Sequence, residues 1–160
     1  MFRLAPTGLF VTLWQRVGPR CSFSFKHTHT HTHTGILGNT TGRRPGDVTV
    51  PRWAEGKGLA MDVAVTSPLA ATYVRMKEPC EWYAATQKHG KYDASFAGTD
   101  YFFGAVIFET LGAINTEGEE ILKQLFRFAA KHLGREFTSY CGRALARVSC
   151  NLQRSVSQAH

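Results

Sequence analysis

Asp47, Asp62, Lys88 and Lys91 are the side chains whose types and spacing could do chemistry. Asp47 opens a β-rich run, Asp47-Val-Thr-Val-Pro-Arg-Trp53. Asp62 lies in an alternating run in which Leu59, Met61, Val63 and Val65 interleave with Ala60, Ala64 and Thr66. Ala54-Glu-Gly-Lys-Gly58 between them reads as a turn, so the two runs predict a hairpin. Centred between Glu55 and Gly56, it sets Asp62 opposite Thr49 and Asp47 opposite Ala64. The carboxylates then sit diagonally on neighbouring strands, with Cβ atoms about 7 Å apart. Carboxylates so placed can share a divalent cation, and Ala60 and Ala64 leave room for a ligand beside Asp62. Lys88 and Lys91 fall on one side of a helix that crosses Gly90. A cation such as Mg²⁺ held by carboxylates and water polarises a phosphate and activates a water, while a lysine stabilises the charge that develops. Hydrolysis of a phosphodiester needs that set of parts. Taken from periodicity alone, such residues are more often solvated charges on a hairpin and a helix.

The order of three segments adds to this. Arg44-Pro45-Gly46-Asp47, then Leu59-Ala-Met-Asp62-Val-Ala-Val65, then Lys88-His-Gly-Lys91-Tyr92 resembles the restriction-like endonuclease domain of site-specific non-LTR retrotransposons, in the PD-(D/E)xK superfamily. Phe108-Glu-Thr-Leu-Gly112 and Ala146-Arg-Val-Ser-Cys-Asn-Leu-Gln-Arg154 are similar to the C-terminal tails of reverse-transcriptase-like proteins. The resemblance implies a restriction-endonuclease-like mixed sheet flanked by helices over 44–160 and a domain that nicks DNA, or its inactive remnant. It further implies Mg²⁺ as cofactor, Asp47 and Asp62 as its ligands, and Lys88 or Lys91 beside the scissile phosphate. Tyr92 would be mainly structural. Gly46 separates Pro45 from Asp47, which are adjacent in the family motif. Ala64 occupies the place where related nucleases carry a lysine, so the resemblance draws that lysine from the helix.

The elements that must position these groups are legible in outline. Pro51 confines the first strand to an edge or ends it. Pro68 to Tyr92 has a helical pattern interrupted at Pro79, which suits the first turn of a second helix running to about His89. Tyr101 to Phe108 is a continuous apolar run, the signature of a strand buried on both faces at the sheet centre. Thr116-x-x-Glu119 reads as a capping box for a helix to Leu133, stopped by Gly134, with Glu119 and Lys123 as an exposed pair. A last helix from Phe137 to Ser157 puts Cys141, Leu145, Val148, Leu152 and Val156 on one side. Its other side carries Arg143, Arg147 and Arg154, either a solvated face or a strip that contacts phosphates. Lys123, Arg127 and Lys131 repeat at four-residue spacing on the helix before it and admit the same two readings.

The net charge of +7 points to nucleic acid until its distribution is considered. Six of the 19 basic residues and none of the 12 acids precede Asp47, so from Asp47 onward the balance is only +1. Four scattered cysteines, Cys21, Cys80, Cys141 and Cys150, with no CxxC pair, suggest reduced intracellular thiols. No apolar run is long enough to span a bilayer, so no membrane association is expected. Residues 1–43 read as a disordered leader. His-Thr repeats four times from His27 to Thr34, a low-complexity tract of the kind a CA dinucleotide repeat encodes, though a row of histidines can also bind a transition metal. The basic, acid-free start resembles a mitochondrial presequence or a segment translated from unrelated DNA. The expected compartment is nucleus or cytoplasm, with mitochondria as the alternative. Two functions remain in view: a metal-dependent DNA endonuclease, and a non-catalytic module that binds nucleic acid or protein through Arg143, Arg147 and Arg154.

Overall fold

A computed structural model describes residues 46–157; the leader, the His-Thr tract, the presequence-like start and Cys21 lie outside them. Strand β1 (Val48–Ala54) and strand β2 (Lys57–Thr66) form the expected antiparallel hairpin. Ala54 pairs with Lys57 across a two-residue loop, and Glu55 (φ 51°) and Gly56 (φ 76°) both take left-handed backbone. That conformation gives the loop the twist the strands require, and glycine adopts it without strain. The rest of the ladder corrects the expected register. Val48 pairs with Met61, Thr49 with Ala60 and Val50 with Leu59, because an irregularity between Val50 and Ala54 shifts the alignment. Arg52 within it has φ 59°. Pro51, which cannot donate to a ladder, stands beside this bulge, where proline is tolerated.

A long connection leads to strand β3 (Tyr101–Glu109), which pairs parallel with β2 from Gly58–Tyr101 to Thr66–Glu109. The strand order is β1-β2-β3, so β2 and not β3 is the centre of the sheet. The long apolar run of β3 is buried nonetheless, because the chain beyond it folds back along its outer edge. Ala113 accepts from the Glu109 amide at 2.8 Å, and the Asn115 amide donates to the Ile107 carbonyl at 3.1 Å. The Asn115 side chain accepts from Ile107 N at 2.8 Å and donates to the Ala105 carbonyl at 3.0 Å. Glu117 Oε2 accepts from Ala105 N at 3.1 Å. Backbone and side-chain groups of the returning chain thus take the place of a fourth strand along Ala105–Glu109.

The connection itself differs from the expected pair of helices. Residues 68–75 form successive turns, such as Tyr73 N to Ala70 O at 2.8 Å, and Leu69 and Val74 are exposed. Tyr73 packs on Trp82 and Tyr83, but with Leu69 and Val74 exposed the segment has little of the packing that sustains short helices. Helix begins at Pro79, as the proline predicts, and continues beyond His89 to Phe96 in three parts: α1 (Pro79–Tyr83), a π-helical stretch (Ala84–His89) and α2 (Gly90–Phe96).

Helices α3 (Thr116–His132) and α4 (Phe137–Ser157) follow. The capping box does not form. Asn115 is the N-cap and spends its side chain on β3, while the Thr116 amide and hydroxyl donate to Glu81. Glu119 pairs with Lys123 at 2.6 Å, as the spacing predicts. Gly134 (φ 60°) follows α3, and Arg135 N bonds back to the Ala130 carbonyl at 2.9 Å. Glu136, which the sequence reading passed over, caps α4. Its carboxylate accepts from the Thr138 and Ser139 amides at 2.7 and 2.6 Å, and these bonds hold its pKa below the usual value.

One sheet face buries Val50, Met61, Val63 and Val106 against Leu122, Leu125, Val148 and Leu152 of α3 and α4. The inner side of α4 is shifted from the expected one, with Ala144 buried and Leu145 exposed. The other face is lined by small residues. Ala105 and Ile107 pack there against Cys80 and Ala84, with Ala64 and Tyr83 alongside. The described region is therefore α/β with a mixed sheet between two helical layers, and no helix in it is long and apolar enough to cross a membrane.

Candidate active site

Strand alternation places Asp62 on the small-residue face, between Ala60 and Ala64 and beneath the helix that starts at Pro79. The bulge brings Asp47 there as well. Continuing the Val48–Met61 register by one step sets Asp47 directly opposite Asp62, where the uninterrupted hairpin predicted a diagonal offset. Each carboxylate bonds the other strand's backbone. Asp62 Oδ1 accepts from Gly46 N at 2.7 Å, and Asp47 Oδ2 accepts from Val63 N at 2.9 Å. Gly46 has φ 94°, a conformation that disfavours a side chain, so the residue intervening between Pro45 and Asp47 has a structural role.

Lys88 completes the group from the π-helical stretch, with Nζ 2.9 Å from Asp62 Oδ2. The pair is largely shielded, with side-chain exposures of 15% for Lys88 and 7% for Asp62. Burial works against the Lys88 ammonium, but the charge and hydrogen bond of Asp62 outweigh it and leave the pKa above the ordinary lysine value. The same ammonium lies 6.0 Å from the centre of the Tyr83 ring. The Asp47 pKa is raised too, but for an acid this means that its charged form is the one disfavoured. Burial raises its pKa, the Val63 hydrogen bond offsets part of this, and the neighbouring Asp62 charge raises it further. Two carboxylates facing one ammonium leave the site one negative charge in excess when all three are ionised.

Of the residues singled out from the sequence, the fold brings Asp47, Asp62 and Lys88 together. Lys91 is exposed on α2, and the charged groups that act on Asp47 are Asp62 and Lys88. The π-helical stretch ends at His89, so the chain between the two lysines is not the regular helix that would keep them on one side. Arg143, Arg147 and Arg154 are exposed on α4, which packs on the other face of the sheet, so they do not join the acids. The cysteines stay apart from the site chemistry: Cys80, Cys141 and Cys150 are free, and burial pushes the Cys80 thiol up to about 11.

A second cluster adjoins the first and was missed in the sequence. His89 bonds Asp93 Oδ1 through Nδ1 and Glu117 Oε2 through Nε2, both at 2.8 Å. The His89–Asp93 half is an i,i+4 pair that spacing could have flagged. Glu117 is 28 residues away in sequence, and no local spacing links it to His89.

Among the described residues no group of three or more His, Cys, Asp or Glu side chains is placed to hold a metal ion. The donor set at Asp47 and Asp62 is two carboxylates. It fits Mg²⁺, which is commonly bound through one or two carboxylates with water and substrate phosphate completing the shell, better than a zinc site of three or four protein ligands. The raised Asp47 pKa fits as well, because a cation would relieve the crowding of negative charge that helps to cause it. Comparison with protein-family models, curated proteins and solved structures finds no match to this chain, so the reading of the site stands on its geometry and on the sequence motifs.

Proposed function

We propose that the domain is a Mg²⁺-dependent DNA endonuclease of restriction-endonuclease-like fold, or a descendant of one that retains its site. The observation that carries the proposal is the meeting of Asp47, just before β1, with Asp62 of β2 and Lys88 of the π-helical stretch on one side of the sheet. The mixed sheet between helical layers agrees with the fold that the motif resemblance implies. Asp47 and Asp62 would hold the ion, which when bound would supply a polarised phosphate oxygen and a more acidic water. Lys88 stands where it can leave Asp62 for a phosphate oxygen and stabilise negative charge as it develops. The backbone bonds from Gly46 and Val63 orient the two carboxylates before any ligand arrives.

Nicking of supercoiled plasmid in Mg²⁺, in EDTA, and by Asp62→Asn tests this. The expected result is cleavage by the wild type in Mg²⁺ alone. Removing one ligand carboxylate should lower the rate by at least about 100-fold, the scale of losing a transition-state charge stabiliser. Arg147→Ala should still cleave. The exposed arginines of α4 favour the second reading, a non-catalytic binding module. Salt-sensitive retention of DNA with no nicking under any metal condition would decide for it.

A further inference from the structure

His89 is the next residue after Lys88, and its ring faces a carboxylate on each side. A neutral imidazole carries one N–H and would leave one of those 2.8 Å contacts as two acceptors face to face. The imidazolium alone donates to both. It is also the form that ties distant parts of the fold together. Asp93 belongs to α2, one turn on. Glu117 belongs to the first turn of α3 and also accepts from Ala105 N on the outer edge of β3. From β3 the ring meets Phe103 edge-on at 5.3 Å, and Tyr92 and Phe96 hold the same Phe103 ring at 5.4 and 5.2 Å. The charged groups facing His89 are thus Asp93 from its own helical run and Glu117 from α3, while β3 presents an uncharged aromatic.

The position of this clamp matters for Lys88. The π-helical stretch Ala84–His89 is anchored at its start by buried Ala84 and at its end by the His89 bonds. Lys88 reaches Asp62 from the residue just before that second anchor. A single wide turn held at both ends has little freedom to relax to the narrower α-helix, and such relaxation would turn Lys88 around the helix axis.

We infer that His89, as its imidazolium, is a positioning residue that holds Lys88 on Asp62 through a clamp to Asp93 and Glu117. The inference rests on the proposed site for its catalytic consequence but not for its structural content. Burial disfavours the charged ring, yet the two carboxylates overcome this and raise its pKa above the ordinary value. The clamp is therefore complete at acid pH and opens as pH rises through that raised value.

The test is a pH titration of the Lys88 ammonium and His89 ring resonances in the full chain without added Mg²⁺, with nicking assayed separately in Mg²⁺. In the wild type the Lys88 signal should shift with the same midpoint as the His89 ring. His89→Gln should lose the slow-exchanging ammonium signal at every pH with unchanged circular dichroism, and His89→Arg should keep it at every pH. If His89→Gln does not fold, Glu117→Gln replaces it; the ring midpoint should fall and the Lys88 midpoint should follow. A folded His89→Gln in which Lys88 keeps its protected signal, or a wild-type Lys88 signal that shifts with no midpoint in common with the His89 ring, overturns the inference. In nicking, the clamp predicts an alkaline fall in kcat that His89→Arg removes, with KM little changed. Coupled titration without any nicking would defeat the nuclease proposal and leave the clamp standing.

Discussion

Asp47 stands in a place that disfavours its own charge. Its pKa is raised by burial and by Asp62, so the folded chain binds its proton more tightly than the unfolded chain does. The sign follows from linkage. Between the unfolded carboxyl value and the raised folded value the native state holds more protons, so stability falls as pH rises through that window and stays lower above it. Asp47→Asn keeps an oxygen for the Val63 amide and removes the repulsion, and should stabilise the apo protein by about 0.5–2 kcal/mol at neutral pH, the usual return from relieving an unfavourable charge. Added Mg²⁺ should raise the wild-type melting temperature, since a ligand of the native state stabilises by mass action, and should do little for Asp47→Asn. Thermal melts of both proteins with and without Mg²⁺ check this, and a variant less stable than wild type at neutral pH would contradict it. The types of Asp47, Asp62 and Lys88 and their order along the chain were legible in the sequence. The His89–Glu117 contact was not, because nothing local couples residues 28 positions apart.

The elements show why exact juxtaposition was harder to read than element type. Strand alternation, the Pro79 start and the Gly134 stop all follow from local stereochemistry, and they appear as expected. The register between the two acids depends on a bulge at Arg52, whose left-handed backbone is one that arginine rarely adopts and that its residue type does not announce. The wide turn at Ala84–His89 likewise has no periodicity of its own over so short a stretch. The outer edge of β3 is a third case, in which a cap residue is diverted to a sheet. Asn115 is fully buried, and its side chain satisfies Ile107 N and Ala105 O. Asn115→Ala would strand both groups in the interior, at about 1–3 kcal/mol for each unsatisfied partner. Urea unfolding should therefore show a loss of about 2–4 kcal/mol, well beyond the effect of losing an exposed helix cap. A loss below about 1 kcal/mol would mean that water enters and pairs with the strand edge instead.

At the scale of the molecule, the sheet separates two chemistries that the sequence left free to combine. The acids and Lys88 lie on the small-residue face, whereas Arg143, Arg147 and Arg154 ride on α4, whose apolar side packs on the other face. Nucleic acid seated at the acids would meet Lys88 and the helix from Pro79 first, and would have to wrap around the domain to reach the arginines. Replacing all three arginines by alanine should leave stability within about 0.5 kcal/mol per site, as exposed substitutions usually do, and should leave nicking and its Mg²⁺ dependence in place. The salt dependence of DNA retention gives the sharper readout. Three phosphate contacts on duplex DNA would contribute about 2.7 to the slope of log affinity against log salt, at about 0.9 per contact. The separation of the two faces predicts a slope unchanged by the triple substitution. A fall approaching that size, with nicking also reduced, would show that one DNA molecule spans both faces and that the arginine strip belongs to the site.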